Sequence, residues 1–557
     1  MKFALFWIVL AGLICLAERR WIYFPFAIAS LLFLTGLMFL FVGKPFNSAL
    51  LATILAFLIS GASAVKHHHS GLKLAISDLA LTFSGTIPFM LKQYRLTAIV
   101  SLSCAALLIS SAVLVLLTGD SAQYSFTYRL IVLIFVMLLI AAAYRLYGGA
   151  NYFRQHLTDR AGFLSSFIAS FLDFKSWWRT TGLRFIDIAN EPLETSEPSR
   201  KDSSDMPGVQ RPDIFIVQHE SVFDPRTFGL PVNNDLEAFF SPPNAQSGTL
   251  QVEIYGGGSW QTEFSMLTGL SSRSFGPDSY FLFKKGAGRF HHTLPDYLSE
   301  LGYQTTLVAA CRRNFLDYDR FYASIGVDDR VFIEDLPVPF DIARFEETSS
   351  DAMFMQAART IVGERNEEDS SPRLFILLTN FNHGPHSVKQ VSPASFESER
   401  LFARNSLPDD QYEEYFVRLA ETAESWKGFT AEYSSRFPNR NAVAVRYGDH
   451  QPVMTRRIET ALKLPESNSR HLKTFYAIEG INRELQPTST STGSDLDIAF
   501  LGTVALQATG LPLDPIYSER IKLMAECGSD YFACDSARKL KFHRVLVELG
   551  LVDCKAS

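Results

Sequence analysis

The sequence predicts an N-terminal multi-span α-helical membrane domain followed by an α/β domain with a mostly parallel sheet. Three observations carry that expectation. Almost all of residues 1–147 falls in long apolar runs. From residue 211 to the end, short apolar runs alternate with longer helical patterns. Between the two lies a polar stretch rich in Pro, Ser and Asp. The expected domains are therefore 1–147, with about five transmembrane helices, then 148–210 as an interfacial helix and linker, and 211–557 as the α/β domain.

Spans are expected at about 3–17, 21–42, 47–65, 96–118 and 128–146. The last four reach the roughly 20 apolar residues needed to cross hydrocarbon. The first is short, and Lys2 gives it the look of a signal peptide. However, Ala17-Glu18-Arg19-Arg20 offers no small-x-small cleavage site and another span follows at once, so it reads as an uncleaved helix. The segment 72-LKLAISDLALTFSGTIPFML-91 is broken by Ser77-Asp78 and Gly85 and reads as amphipathic, as does 162-GFLSSFIASFLDFKSWWR-179. Residues 191–210 read as linker.

Basic residues at Arg19-Arg20 and between Lys66 and Arg95 draw those loops to the cytoplasm, and the C-terminal region with them. Five spans from a cytoplasmic N-terminus place that region outside instead. A net charge of −6 without clustered Lys and Arg argues against nucleic acid as a partner. The apolar N-terminal third excludes a soluble cytosolic protein. Six cysteines do not make a disulfide scaffold. Cys15 and Cys104 fall in spans, while Cys527 and Cys534, in 527-CGSDYFAC-534, either bridge in an oxidising compartment or stand as two unpaired thiols.

In the second half, 213-DIFIV-217, 305-TTLVAA-310, 374-LFILLT-379 and 442-AVAVRY-447 are continuous apolar runs, as expected of parallel strands covered on both faces. Ligands of open parallel sheets bind beyond the carboxyl ends of the strands. Three of these runs end in metal-binding residue types: His219-Glu220, then Asn382-His383 and His386, then Asp449-His450. Any one alone reads as a solvated strand end. Three together point to a divalent ion, and oxygen plus imidazole donors suit zinc or manganese better than calcium.

The stretch 255-YGGGSWQTEFSMLTGL-270 places three glycines before Ser259 at the start of a helical pattern. Glycines allow close approach of backbone to an ion or phosphate, and a helix N-terminus favours an anion. A hydroxyl there is either a simple N-cap or a nucleophile activated by the metal.

At this point 212-PDIFIVQHESVFDP-225, 256-GGGSWQTEFSMLTGL-270, 380-NFNHGPH-386, 447-YGDHQP-452 and the closing 495-DLDIAFLGTVALQATGLP-512 resemble the lipoteichoic acid synthase and phosphoglycerol transferase group. That group lies in the sulfatase-like branch of the alkaline phosphatase superfamily. The resemblance implies an extracytoplasmic catalytic domain on a multi-pass anchor in the cell (inner) membrane. It implies one divalent ion, Mn2+ with Zn2+ or Mg2+ as alternatives, bound by Glu220, Asp449 and His450, with Ser259 as the nucleophile that also touches the metal. His383, with His386 beside it, falls in the substrate site. Two departures stand out: serine replaces the usual threonine, and Ala309 stands where a second substrate histidine is expected. Arg312 or Arg313 then bind phosphate, or serve surface salt bridges.

The implied activity is transfer of phosphoglycerol or phosphoethanolamine from a membrane phospholipid to a cell-envelope glycan or polymer. Such acceptors lie outside the cytoplasm, which outweighs the charge signal. One alternative is a hydrolase of the same fold, a phosphodiesterase, phosphatase or sulfatase. The sulfatase pattern C/S-x-P-x-R occurs at Ser196–Arg200, but in the linker, and Ser259 is followed by Gln261 where proline is required. The other alternative is a non-catalytic membrane sensor, against which the intact Glu220, Ser259, Asp449 and His450 argue.

Overall fold

The computed structural model describes residues 18, 21–70, 73–76, 95–117, 124–146, 161–179, 183–188, 211–336, 350–364, 371–465 and 467–556. The expected span over 3–17, Cys15, most of 72–91, and the linker 191–210 with Ser196–Arg200 lie outside the described residues. The chain divides into two units, Met1–Thr181 and Gly182–Ser557.

In the first unit the helices are α1 (Phe24–Val42), α2 (Pro45–Ser70), α3 (Arg95–Leu117), α4 (Phe126–Leu146) and α5 (Phe163–Arg179). Among the described residues three stretches, Trp21–Val42, Pro45–His67 and Phe126–Arg145, are long and apolar enough to cross a membrane, while the apolar part of α3 is the shorter Leu102–Leu114. Proline in the first turn of α1 and left-handed Gly43 at its end delimit that helix. At Gly36 a Cβ would lie 2.5 Å from Val136 Cγ2, so α1 and α4 approach through a small residue. Leu107, Ile109 and Leu114 on α3, and Ile131, Phe135 and Leu138 on α4, are exposed. Water penalises such a surface and hydrocarbon does not. The apolar side of α5 joins the same cluster as α1 through Leu164, Ile168 and Ala169. Ser165 Oγ donates to buried Glu18 at 2.6 Å. That packing is why the unit runs to Thr181.

The second unit starts ahead of the boundary expected at 211. Leu183 and Phe185 are fully buried, Phe185 stacks on Phe275 at 4.8 Å, and Arg184–Phe185 pairs in parallel with Lys555–Ala556. The main sheet has eight strands: β1 (Asp213–His219), β2 (Gln246–Gln251), β3 (Gln304–Ala309), β4 (Asp329–Val331), β5 (Arg373–Leu378), β6 (Ala442–Gly448), β7 (Lys473–Ile481) and β8 (Leu496–Asp497). Their order is β4-β3-β5-β1-β6-β7-β2-β8. The first five in that order run parallel, and β7 is antiparallel to both neighbours.

The four apolar runs read from the sequence become adjacent strands, with their carboxyl ends on one edge. His219 pairs with Gly448, and Ala309 with Leu378. Alternate residues of β1 enter different cores, as the two-residue side-chain period requires. Ile214 and Ile216 join one cluster, Phe215 and Val217 the other. Burial on both faces is the reason these strands carry no polar alternation.

Gly448 closes β6 where the main chain after β1 passes directly over it. A Cβ there would stand 1.8 Å from the Val222 carbonyl oxygen, a contact that neither backbone can relieve cheaply. Gly448→Ala is therefore expected to destabilise the protein by about 3 kcal/mol or more. A fall in the thermal unfolding midpoint checks this.

Candidate functional site

The sheet edge delivers its polar groups in the first residues past the strands. Glu220 follows β1, and Asp449 and His450 follow β6; all three are buried. Between them, Ser221 adopts φ 57°, a left-handed conformation that costs a non-glycine residue energy unless local bonds hold it. Two bonds do so: Ser221 N donates to Asp449 Oδ1 at 2.7 Å, and Ser221 Oγ donates to Glu220 Oε1 at 2.8 Å. Thr379, just past β5, accepts the Glu220 N–H at 3.3 Å.

His450 Nδ1 lies 3.1 Å from the Gln451 carbonyl oxygen. A carbonyl only accepts, so Nδ1 carries the hydrogen and Nε2 presents a lone pair. That lone pair lies 3.5 Å from Glu220 Oε1 and 3.5 Å from Asp449 Oδ2. Asp449 Oδ2 is buried and has no hydrogen-bond partner among the described residues. One ligand atom from each of the three residues lies within 4.8 Å of the others. Burial, and then the adjacent Glu220, push the Asp449 carboxyl well above its ordinary range. Burial opposes ionisation of Glu220 too, yet His450 and His383 hold it below the usual value. Burial also lowers His450, against the pull of Glu220. Lone pairs gathered this closely in a dry setting repel one another unless a cation lies among them. Two carboxylates and an imidazole, with a hydroxyl beside them, fit a divalent ion of the zinc or manganese kind.

The glycine triplet now has its reason. Gly256, Gly257 and Gly258 have φ of 77°, 149° and 100°, values an L side chain rarely adopts. Gly256 N donates to the Gln451 carbonyl at 2.9 Å, tying the triplet to the His450 loop. Helix α6 (Ser259–Thr268) has Gly258, not Ser259, at its N-cap position, and no side chain caps it. The Ser259 hydroxyl instead donates to Glu220 Oε2 at 2.9 Å and lies 3.4 Å from His450 Nε2. Thr262 Oγ1, in the first turn of α6, donates to the Asp449 carbonyl at 2.8 Å.

His383 Nδ1 lies 2.7 Å from the Gly384 carbonyl oxygen, and the histidine bears electrostatically on both Glu220 and His450. The loop that carries it is gathered by Arg418, on α7 (Asp410–Arg436). The Arg418 guanidinium donates to the carbonyls of Phe381, His383, Pro385 and Val388, at 3.3, 3.0, 3.4 and 2.7 Å, and pairs with Glu414 at 2.9 Å, both side chains fully buried.

Two expected substrate residues are placed differently. His386 turns into the core, 2% exposed, with Nε2 on the Asn382 carbonyl at 3.0 Å and its ring 5.4 Å from Tyr415. Arg313 is committed to Asp319 and Asp335, the salt-bridge alternative. Arg312 is exposed on the segment after β3. Cys527 and Cys534 form a disulfide. Ser221, Thr262 and Arg418 were not singled out by sequence reasoning. Only the placement of Ser221 directly after a ligand at a strand end could have hinted at its role.

Residues 212–480 match the family model described as Sulfatase. An uncharacterized protein of Haemophilus influenzae is 22% identical over 308 residues, 54% of this chain and 54% of that protein, so the chain spans about half the length of the curated relative it matches. Among solved structures, the phosphoglycerol transferase GacH of Streptococcus pyogenes, in complex with sn-glycerol-1-phosphate, is 18% identical with a TM-score of 0.48, covering 62% of this chain and 87% of that one. The integral membrane lipooligosaccharide phosphoethanolamine transferase A of Neisseria meningitidis is 14% identical with a TM-score of 0.48, covering 91% and 88%.

Removing the guanidinium at Arg418 leaves Glu414 buried without its charged partner, held by the Gln390 and Val391 N–H groups, and takes the guanidinium donor from four carbonyls. Arg418→Met is expected to cost about 3–5 kcal/mol, read as a lower thermal midpoint. Arg418→Met combined with Glu414→Gln should cost less than the single change, because no charge is then stranded.

Proposed function

Starting from a chain that carries a sulfatase-family domain over residues 212–480, we propose that the protein is a membrane-bound, metal-dependent transferase. It moves phosphoglycerol or phosphoethanolamine from a membrane phospholipid to a hydroxyl of a cell-envelope glycan or polymer. The observation that carries this reading is the Ser259 hydroxyl, held on Glu220 at 2.9 Å beside the lone pairs of His450 and Asp449, at the start of a helix.

A divalent ion held by Glu220, Asp449, His450 and Ser259 supplies the positive charge that acidifies a hydroxyl and polarises a phosphoryl oxygen. The chain's own groups do the rest. Ser259 Oγ forms a bond to phosphorus as the bond from phosphorus to the diacylglycerol oxygen breaks, and the serine proton ends on that leaving oxygen. The acceptor hydroxyl then forms its bond to phosphorus as the Ser259 bond breaks, and its proton returns to the serine oxygen. N–H groups at the start of α6 favour the anionic phosphoryl oxygens, and the proton-exchanging role at the leaving or entering oxygen is assigned to His383 in this reading. Apolar helices in the same chain raise the effective concentration of a lipid donor. The Cys527–Cys534 bridge suits the oxidising, extracytoplasmic side of the membrane, where envelope acceptors lie.

Intact mass of the purified full chain after exposure to phospholipid tests the nucleophile. Wild type is expected to gain the mass of the transferred group, and Ser259→Ala to gain nothing and lose turnover about 10³-fold or more. A fluorescent-headgroup phospholipid offered with glycan should yield modified glycan; free headgroup phosphate alone means a hydrolase. Stripping the protein with a chelator should lower its thermal midpoint and abolish turnover. Mn2+ at about 100 times its Kd should restore about 2.7 kcal/mol of stability.

A further inference from the structure

One buried carboxylate beneath the site takes no part in the chemistry above, yet the segments that bear Ser259, Glu220 and the Asp449–His450 pair all lead to it. Glu263 lies one turn beyond Ser259 on α6 and is 1% exposed. Its carboxylate accepts three hydrogen bonds, all from neutral donors: Gln218 Nε2 at 3.0 Å, Tyr318 OH at 2.7 Å and Tyr322 OH at 2.7 Å. Gln218 is the residue of β1 two before Glu220. Its own side-chain oxygen accepts from Tyr447 OH at 2.9 Å, and Tyr447 is the residue of β6 two before Asp449. Tyr318 and Tyr322 belong to the short helix Tyr318–Ala323 that follows β3.

The segment leading into that helix is under backbone strain. Leu316 and Asp317 have φ of 45° and 63°, two successive non-glycine residues in the left-handed region. Such conformations persist only where surrounding bonds over-determine them. The strained turn brings the half-exposed Phe315 ring to 6.4 Å from Trp260, the residue after Ser259, and to 5.6 Å from Tyr318. This is the segment that begins at Ala309 and carries Arg312.

We propose that Glu263 is a positioning residue that sets Ser259 in register with Glu220 and Asp449 and holds the 311–317 segment against Trp260 beside the nucleophile. A carboxylate suits this role because it only accepts, and can take three donors at once. Glutamine turns one of its faces into a donor, and alanine strands two hydroxyls and an amide in a dry core. For its catalytic and Mn2+ readouts the inference rests on the metal-dependent transferase reading; its cleavage readout does not.

The test uses the full chain in detergent with Glu263→Gln, and with Tyr322→Phe, which removes a single bond and keeps the ring. Calorimetric titration of metal-stripped protein with Mn2+ is expected to show affinity about 10-fold or more weaker for Glu263→Gln, the scale at which partners of metal ligands act. Turnover of fluorescent-headgroup phospholipid should fall at least as far through kcat. Tryptic cleavage after Arg312 and Arg313, followed by mass, should accelerate several-fold, with Tyr322→Phe intermediate in each measurement. A lower thermal midpoint with Mn2+ affinity, kcat and cleavage rate all within two-fold of wild type, in both variants, overturns the proposal and leaves Glu263 a plain core residue. Wild type that neither binds Mn2+ nor transfers a headgroup defeats the transferase reading instead, and the cleavage rates then decide Glu263 by themselves.

Discussion

Mutual repulsion among buried lone pairs is the constraint on which the rest of the α/β unit depends. Glu220, Asp449 and His450 converge within 4.8 Å, from strands separated by more than 200 residues of chain, and Asp449 keeps an oxygen with nothing to accept from among the described residues. Such an arrangement is costly unless a cation completes it. The neighbouring structure makes sense as what holds the three in place. A strained Ser221 bridges both carboxylates, Gln451 fixes the histidine tautomer, and Gly448 lets two main chains pass where no side chain could fit.

The nucleophile is secured by the same logic. Ser259 could have capped its own helix, and in many proteins a serine so placed does. Here the cap position is given to a left-handed glycine, which turns the hydroxyl away from the helix and toward Glu220. Three successive residues with φ positive are a local cost that only glycine keeps small. The conformational freedom lost there is repaid in a hydroxyl that faces the carboxylates rather than its own backbone.

Much of this was legible in the sequence because it follows from periodicity and position. Runs such as 213-DIFIV-217 and 442-AVAVRY-447 could only be strands buried on both faces, and the residues just past them had to lie on the sheet edge that parallel strands share. What escaped is what depends on side-chain direction. His383 and His386 are three residues apart, and nothing in the letters says that one faces the cluster and the other the core. For Arg313 the sequence favours a surface salt bridge over phosphate, but the identity of its partners, Asp319 and Asp335, rests on a fold of the chain that no local pattern encodes. Arg418 and Glu263 read as ordinary helix residues, since a single buried charge leaves no periodic trace. The start of the unit at Gly182 was hidden because two short strands distant in sequence, Arg184–Phe185 and Lys555–Ala556, had to find each other.

The grip of Arg418 has an evolutionary corollary. Each of the four oxygens it collects belongs to the main chain, so the clamp is blind to which amino acids the loop displays. A loop tethered by its peptide groups can trade outward-facing residues without coming loose. Relatives could thus acquire new substrate preferences there while the ion-holding strand ends stay untouched.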